Sequence, residues 1–176
     1  MTTHRGRPIM ALGALALSFA AITAQPIAAQ QRVADPFVRA DASFSPHRLS
    51  RVVRPQAIGK PANCFDGECE WVDKAGVAHS FGGKLLAIKS VSVRPDDRRA
   101  LSALGIGTAR DRSAVLTRVR AFLPEIKIDC LEAGQAGEGQ GIASCSGSFR
   151  SGAWLKLLFG PDGRLTQARI DAFQIN

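Results

Sequence analysis

The chain has 176 residues, which is enough for one ordinary domain with extensions. A hydrophobic fraction of 45% and a charged fraction of 22% exclude a chain that is disordered throughout. The net charge of +8 would suit a nucleic-acid partner, but most of the excess lies before residue 64, and residues 64–176 are nearly neutral. We therefore expect no nucleic-acid-binding surface on the folded part.

The first 29 residues have the pattern of a secretory signal peptide. Two arginines supply a positive start, an apolar run follows over residues 9–22, and small residues offer cleavage after Ala24 or after Ala29. The apolar run is short for a bilayer span, and no nearby cysteine can carry the lipid of a bacterial lipoprotein. We expect a mature protein without a transmembrane span, located in the periplasm or secreted.

Residues 30–63 show no sustained periodicity and are rich in proline and arginine, which predicts a basic, flexible tether. Within it, the stretch SPHRLSRVVRP offers a second interpretation. Ser45 can cap a helix, Pro46 suits its first position, and Pro55 ends it, so a short basic helix that touches anionic lipid or a partner is the alternative. We favour the disordered linker, because one short basic helix binds membranes weakly.

From Cys64 the pattern changes to short alternating segments that are typical of antiparallel strands. Trp71 precedes a turn at residues 73–76, and the chain returns through residues 77–81. A second turn leads into a longer strand over residues 85–93, which is rich in β-branched side chains. These segments predict a small N-terminal β-meander.

Two helices are predicted next. Asp96 or Asp97 can cap a short one that runs to Leu104, and Gly105 can end it in a left-handed conformation. A longer one begins at Thr108, which with Asp111 resembles a capping box, and it ends before Pro124. Its apolar residues recur on one helical face: Val115, Leu116, Val119, Phe122 and Leu123.

The last third of the chain predicts four strands. Two of them, residues 126–132 and 142–149, flank a glycine-rich loop that lacks the Lys-Ser/Thr ending of a phosphate-binding loop. Two more flank the hairpin signal Gly-Pro-Asp-Gly at residues 160–163. The chain is thus expected to form a single α+β domain over residues 64–176, with two helices on one face of an antiparallel sheet.

Four cysteines in an exported chain favour two disulfide bonds. If the strands around the glycine-rich loop form a hairpin, Cys130 lies opposite Cys145, with Cβ atoms about 4.5–5.5 Å apart, close to what a bridge needs. Cys64 and Cys69 then close a small ring around the turn in CFDGEC. Zinc, redox and calcium sites are weaker alternatives because the spacings do not match them, so we expect no metal and no cofactor.

The sequence shows no catalytic set. His79 follows a hairpin turn, and its neighbour Ser80 points to the opposite face of a strand, so the two do not form a nucleophile–base pair. We expect His79 at the surface, and a small hydrolase that uses it is the less favoured alternative. Trp71, Trp154 and His79 are candidate contact residues for a partner, and core packing is the alternative for the two tryptophans.

The stretch LGIGTARDRSAVLTRVRAFLP, followed by strands, resembles small periplasmic helix–helix–sheet domains. These include the outer-membrane assembly lipoprotein of the SmpA/OmlA type and the β-lactamase-inhibitor protein superfamily. The resemblance covers residues 96–174, and Gly107, Thr108 and Val115 stand near the positions of a helix-start pattern common in that group.

A second stretch, EWVDKAGVAHSF, is similar to a Trp-x-Asp-x-x-Gly-x-x-His hairpin of small proteobacterial periplasmic domains of unknown function, and it matches at Trp71, Asp73, Gly76 and His79. The two resemblances imply a non-catalytic module that binds an envelope protein. An inhibitor of a periplasmic enzyme is the alternative. An inhibitor of the superfamily above would carry two tandem units, whereas the sequence predicts one unit after an extra meander.

Overall fold

The structure is a computed structural model that describes residues 34–66, 68–135 and 139–172. These residues belong to one compact unit, Val33–Asn176. The predicted signal peptide, residues 1–29, lies outside the described residues, as do residues 30–33 of the predicted tether.

The described residues form three α-helices, a short 3₁₀ turn and eight strands. In chain order the elements are α1 (Pro36–Phe44), α2 (Pro55–Ile58), β1 (Lys60–Phe65), β2 (Glu68–Val72), β3 (Ala78–Gly82), β4 (Leu85–Ser92), the 3₁₀ turn (Ala103–Gly105), α3 (Arg112–Phe122), β5 (Asp129–Leu131), β6 (Ala143–Ser148), β7 (Trp154–Phe159) and β8 (Leu165–Asp171).

All eight strands lie in one antiparallel sheet with the order β1-β2-β3-β4-β8-β7-β6-β5. Two four-stranded meanders are joined where β4 pairs with β8, for example at Lys89 opposite Ile170. This confirms the predicted antiparallel sheet. A helical segment precedes each meander, so the chain holds two successive helix-then-meander units, whereas the sequence indicated helices before the second meander only.

One face of the sheet is covered by the core. Val91, Ala168, Leu157 and Cys145 lie opposite one another in a row across β4, β8, β7 and β6, and all four are buried. They share one hydrophobic cluster with the buried residues of α1 and α3. The apolar stripe predicted for the second helix belongs to this cluster: Val115, Leu116, Val119 and Leu123 are buried, and Phe122 packs against them.

The predicted helix over residues 96–104 is wrong except for its last residues, which form the 3₁₀ turn. The carboxylate of Asp97 accepts hydrogen bonds from the backbone N–H and the guanidinium of Arg99, and such local bonds compete with helix formation. Gly105 has the predicted left-handed conformation, with φ +68°. The helix α3 begins at Arg112 after the N-cap Asp111, and the capping box from Thr108 does not form.

The predicted tether is also wrong, because residues 34–63 are part of the fold. The helix α1 starts at Pro36 after Asp35, whose Oδ1 accepts a hydrogen bond from the Phe37 N–H at 2.8 Å. Its residues Ala40 and Phe44 are buried in the core. The alternative basic helix after Ser45 does not form either, and Pro55 begins α2. The folded domain therefore begins well before residue 64.

Candidate functional site

The structure contains both disulfide bonds that the sequence predicted. Cys130 and Cys145 face each other across β5 and β6, and Cys64 and Cys69 close the end of the β1–β2 hairpin. Two bridges of this kind are compatible with an oxidising extracellular compartment. Cys130–Cys145 packs against the core, and its role is structural. Cys64–Cys69 lies at an exposed corner of the sheet, where it can also shape a site.

His79 is fully buried, so the prediction of a surface histidine is wrong. The Nδ1 atom lies 3.1 Å from the carbonyl oxygen of Trp71, which can only accept, so Nδ1 carries the proton. Nε2 then accepts from the hydroxyl of Ser45 at 2.9 Å. The hairpin turn at Asp73 suggested exposure, but the ring of His79 points from β3 towards the loop after α1. Burial lowers the pKa of His79, and the Trp71 carbonyl and Asp73 oppose this shift.

Lys89 and Asp41 form a buried ion pair next to this histidine. The Nζ of Lys89 donates to Oδ1 of Asp41 at 2.6 Å and to the carbonyl oxygens of Asp41 and Ser45 at 2.9 and 3.0 Å. Burial lowers the pKa of Lys89, and Asp41 opposes the shift. We call Asp41, Ser45, His79 and Lys89 the polar core cluster. Sequence reasoning missed it, because its members are far apart in the chain.

The polar core cluster does not have the access that catalysis requires. The bond between Ser45 and His79 resembles a nucleophile–base pair. However, Ser45 is 5% exposed and His79 is 0% exposed, so a substrate carbonyl has no approach to the hydroxyl. Oδ2 of Asp73 lies 3.9 Å from Nε2 of His79, which is beyond hydrogen-bond distance. In a catalytic triad the carboxylate binds the other ring nitrogen, Nδ1, and here Nδ1 contacts the carbonyl of Trp71 instead. The cluster therefore joins the loop after α1 to the sheet.

The two tryptophans do not form one site. Trp71 lies on β2 and Trp154 on β7, with β3, β4 and β8 between them, which separates the strands by about 19 Å. The ring of Trp154 is contacted by Arg169 at 5.2 Å and by Lys156 at 5.6 Å. Trp71 instead packs against the hydrophobic core, as the alternative for it predicted, and also lies beside a groove at the first edge of the sheet.

This groove has a volume of about 390 Å³ and lies along the first three strands. It combines aromatic residues with glutamates, and the lining residues that the structure describes include no lysine, arginine or histidine. We call it the β1–β3 groove. Its lining residues are Pro55, Asn63, Phe65, Glu68, Cys69, Glu70, Trp71, Ser80, Phe81 and Gly83.

Side chains from both neighbouring strands hold Glu70 in this groove. Its Oε2 accepts a hydrogen bond from Nδ2 of Asn63 on β1 at 2.7 Å, and its Oε1 accepts a longer one from the hydroxyl of Ser80 on β3 at 3.4 Å. The sequence alone did not indicate Glu70 as a contact residue. Alternation along β2 and β3 indicates the face on which each residue lies, but the register that places Glu70 beside Ser80 is visible only in the structure.

An apolar surface adjoins the groove. Among the described residues, the exposed large hydrophobic side chains are Val52 (71%), Phe65 (85%), Leu85 (45%) and Leu131 (50%). Phe65 lines the groove, Leu85 begins β4 two residues after the lining residue Gly83, and Val52 bridges to Leu85. We call Val52, Phe65 and Leu85 the apolar corner. Three of these four side chains thus lie at one corner of the sheet.

The edge strand β1 is unsuited to pairing with another strand. Pro61 has no N–H to donate, a bulge interrupts the register between Ala62 and Phe65, and Asn63 has φ +46°. These features are typical of edges that resist strand addition.

In comparisons with known proteins, no family model, no curated protein and no solved structure matched this chain. Within the described ranges, no helix is both long and apolar enough to cross a membrane. In the same part of the chain, no group of three or more His, Cys, Asp or Glu side chains is arranged to hold a metal ion.

Proposed function

We propose that the chain is an exported protein of the periplasm, or a secreted one, that binds a protein partner without catalysis through the β1–β3 groove and the apolar corner. The observation that carries this proposal is the position of Phe65, which is 85% exposed at the mouth of a groove. Exposed large apolar side chains that cluster beside a groove are typical of protein interaction sites.

The small disulfide ring supports this role for Phe65. The residue lies inside the ring that Cys64 and Cys69 close. A bridge restricts the conformations of the ring before a partner arrives, so less entropy is lost on binding. At 85% exposure, Phe65 contributes little to the stability of the fold, and its side chain is available for contact with a partner.

The location rests on two further observations. The first 29 residues have the pattern of a signal peptide, and the folded part carries two disulfide bonds. The absence of an accessible nucleophile–base pair at His79 favours binding over hydrolysis. The resemblance of residues 96–174 to envelope modules stays a prediction and points in the same direction.

Site-specific photocrosslinking tests the proposal. p-Benzoylphenylalanine replaces Phe65 in one variant and Leu131 in a second, and both are exported to the periplasm of a bacterial host and irradiated. Leu131 is the matched control, because it is 50% exposed but lies on β5 at the opposite edge of the sheet. We expect a discrete crosslinked species, identified by mass spectrometry, from position 65 alone. Equal yields from both positions would refute the proposal.

A further inference from the structure

We infer that the β1–β3 groove binds a lysine or arginine side chain of its protein partner, with the cationic head group at Glu70. This inference rests on the proposed function and specifies the chemistry of the partner. Its first support is charge. Glu68 and Glu70 are the ionisable side chains among the described lining residues of the groove, and both are acidic. In a chain with a net charge of +8, the described lining of this groove is therefore complementary to a cation.

The hydrogen bonds of Glu70 leave it able to accept more. A carboxylate has about four lone-pair sites, and Asn63 and Ser80 use two of them. Among the described residues, neither Glu68 nor Glu70 forms an ion pair with a lysine, arginine or histidine. Glu70 is thus fixed in position by neutral groups while its charge is not neutralised within the described part of the chain.

The aromatic residues supply the second support. Phe65, Trp71 and Phe81 are among the groove's lining residues; Trp71 and Phe81 also pack against the core, whereas Phe65 pairs with Glu68 and is 85% exposed. Aromatic faces attract ammonium and guanidinium groups, and aromatic surface also covers the apolar stem of a lysine or arginine. An apolar ligand would gain nothing from the glutamates, and an anion would be repelled by them. A long side chain with a cationic end uses both kinds of lining residue.

The size of the groove limits the ligand. A volume of about 390 Å³ is near the lower end of the range of about 300–1,000 Å³ that is typical of small-molecule pockets. One or two side chains fill such a space, and the apolar corner offers additional contact for the residues on either side of the cation. The partner is therefore expected to present an exposed segment with a basic residue flanked by apolar ones.

Tryptophan fluorescence provides the test. The chain has two tryptophans and no tyrosine, so the Trp154→Phe variant leaves Trp71 beside the groove as the reporter. The probes are two blocked pentapeptides, Ac-Gly-Leu-Lys-Leu-Gly-NH₂ and the same peptide with norleucine in place of lysine. We expect the lysine peptide to bind about tenfold or more tightly, since a charge-assisted hydrogen bond contributes a factor of this order. Added salt should weaken its binding.

Three controls make the result specific. The Glu70→Gln variant keeps the side-chain shape and should abolish the preference for lysine. The Glu132→Gln variant removes an acid of the opposite edge of the sheet and should leave the preference unchanged. Free choline tests a small organic cation as the ligand, and choline binding as tight as that of the lysine peptide would overturn the assignment to a protein side chain.

The failures of the two proposals are distinguishable. Suppose that position 65 crosslinks a protein. If the two peptides then bind equally, or if the double substitution Glu68→Gln and Glu70→Gln leaves the crosslinking unchanged, the cation assignment is wrong and the binding function stands. If position 65 crosslinks nothing above the control at Leu131 and neither peptide changes the fluorescence of Trp71, both proposals are wrong.

Discussion

The Nζ atom of Lys89 lies 2.6 Å from Oδ1 of Asp41, and both side chains are buried between the sheet and the loop after α1. The ammonium has three protons, and its three acceptors are this carboxylate oxygen and the carbonyls of Asp41 and Ser45. Asp41 also accepts from the backbone N–H of Leu49. The pair thus fastens residues 41–49 to strand β4.

Lys89→Met should destabilise the protein by about 3–5 kcal/mol, because it leaves the carboxylate of Asp41 buried without a cation. Adding Asp41→Leu to this variant should recover most of the loss, since replacing both members of a buried pair by apolar residues is often neutral. Urea unfolding of the single and double variants measures both effects. Lys127→Met breaks the exposed pair with Asp129 and should cost less than about 1 kcal/mol. Equal losses at Lys89 and Lys127 would contradict the prediction.

His79 should make the stability depend on pH. Burial lowers its pKa below the usual value of 6.5, so the unfolded chain binds a proton before the folded chain does. The contribution of neutral His79 is therefore fully present above about pH 6.5 and is lost progressively as the pH falls below it. The extra slope approaches about 1.4 kcal/mol per pH unit for one proton.

Urea unfolding between pH 8 and pH 5 tests this slope. His79→Gln keeps a hydrogen-bonding side chain without a titrating ring, so its free energy of unfolding should vary less with pH in this range. His47→Gln is the matched control, because it removes the neighbouring ring and leaves His79 in place. The same pH dependence in the wild type and in His79→Gln would show that His79 is not responsible.

The sequence predicted those parts of the fold that depend on the spacing of residues close together in the chain. The helical spacing of Val115 and Val119 located α3, and alternation around the glycine-rich loop placed Cys130 opposite Cys145. The helix α1 was not predicted, because one of its inward-facing residues, Asp41, is polar. Its burial depends on Lys89, which is 48 residues away in the sequence and pairs with it only in the folded chain.

The candidate site was predicted only in part. Trp71 and the ring of Cys64 and Cys69 were recognised from the sequence, but Phe65 and Glu70 were not proposed as contacts. Their importance depends on the register of three strands, which brings Ser80 beside Glu70. No local pattern in the sequence records that register.

The two disulfides should differ in their effects. In the chain-entropy model, the bridge between Cys130 and Cys145, with a sequence separation of 15, contributes about 3 kcal/mol, and the bridge between Cys64 and Cys69, with a separation of 5, about 2 kcal/mol. Replacing each pair by alanine and measuring urea unfolding checks these values. Loss of the smaller ring should also weaken crosslinking at position 65, whereas loss of the larger one should not. Equal effects of both replacements on crosslinking would remove the role assigned to the small ring.

Phe65→Ala should separate binding from stability. The side chain is 85% exposed, so its removal should change the free energy of unfolding by no more than about 0.5 kcal/mol. The variant should nevertheless lose much of its affinity for the partner, since exposed aromatic residues at interfaces often dominate binding. Leu157→Ala is the opposite case: Leu157 is fully buried, and its truncation should cost about 2–5 kcal/mol.

Thermal unfolding measures the stability of the wild type and of both variants, and a competition experiment measures the binding of Phe65→Ala. Wild-type protein and Phe65→Ala, each in excess, compete with the photocrosslinking variant for the partner. Wild type should suppress the crosslinked species and Phe65→Ala should not, although both unfold at similar temperatures. If Phe65→Ala competes as well as the wild type, Phe65 is not a contact residue. The exposure of its phenyl side chain must then be explained by the geometry of the β1–β2 hairpin alone.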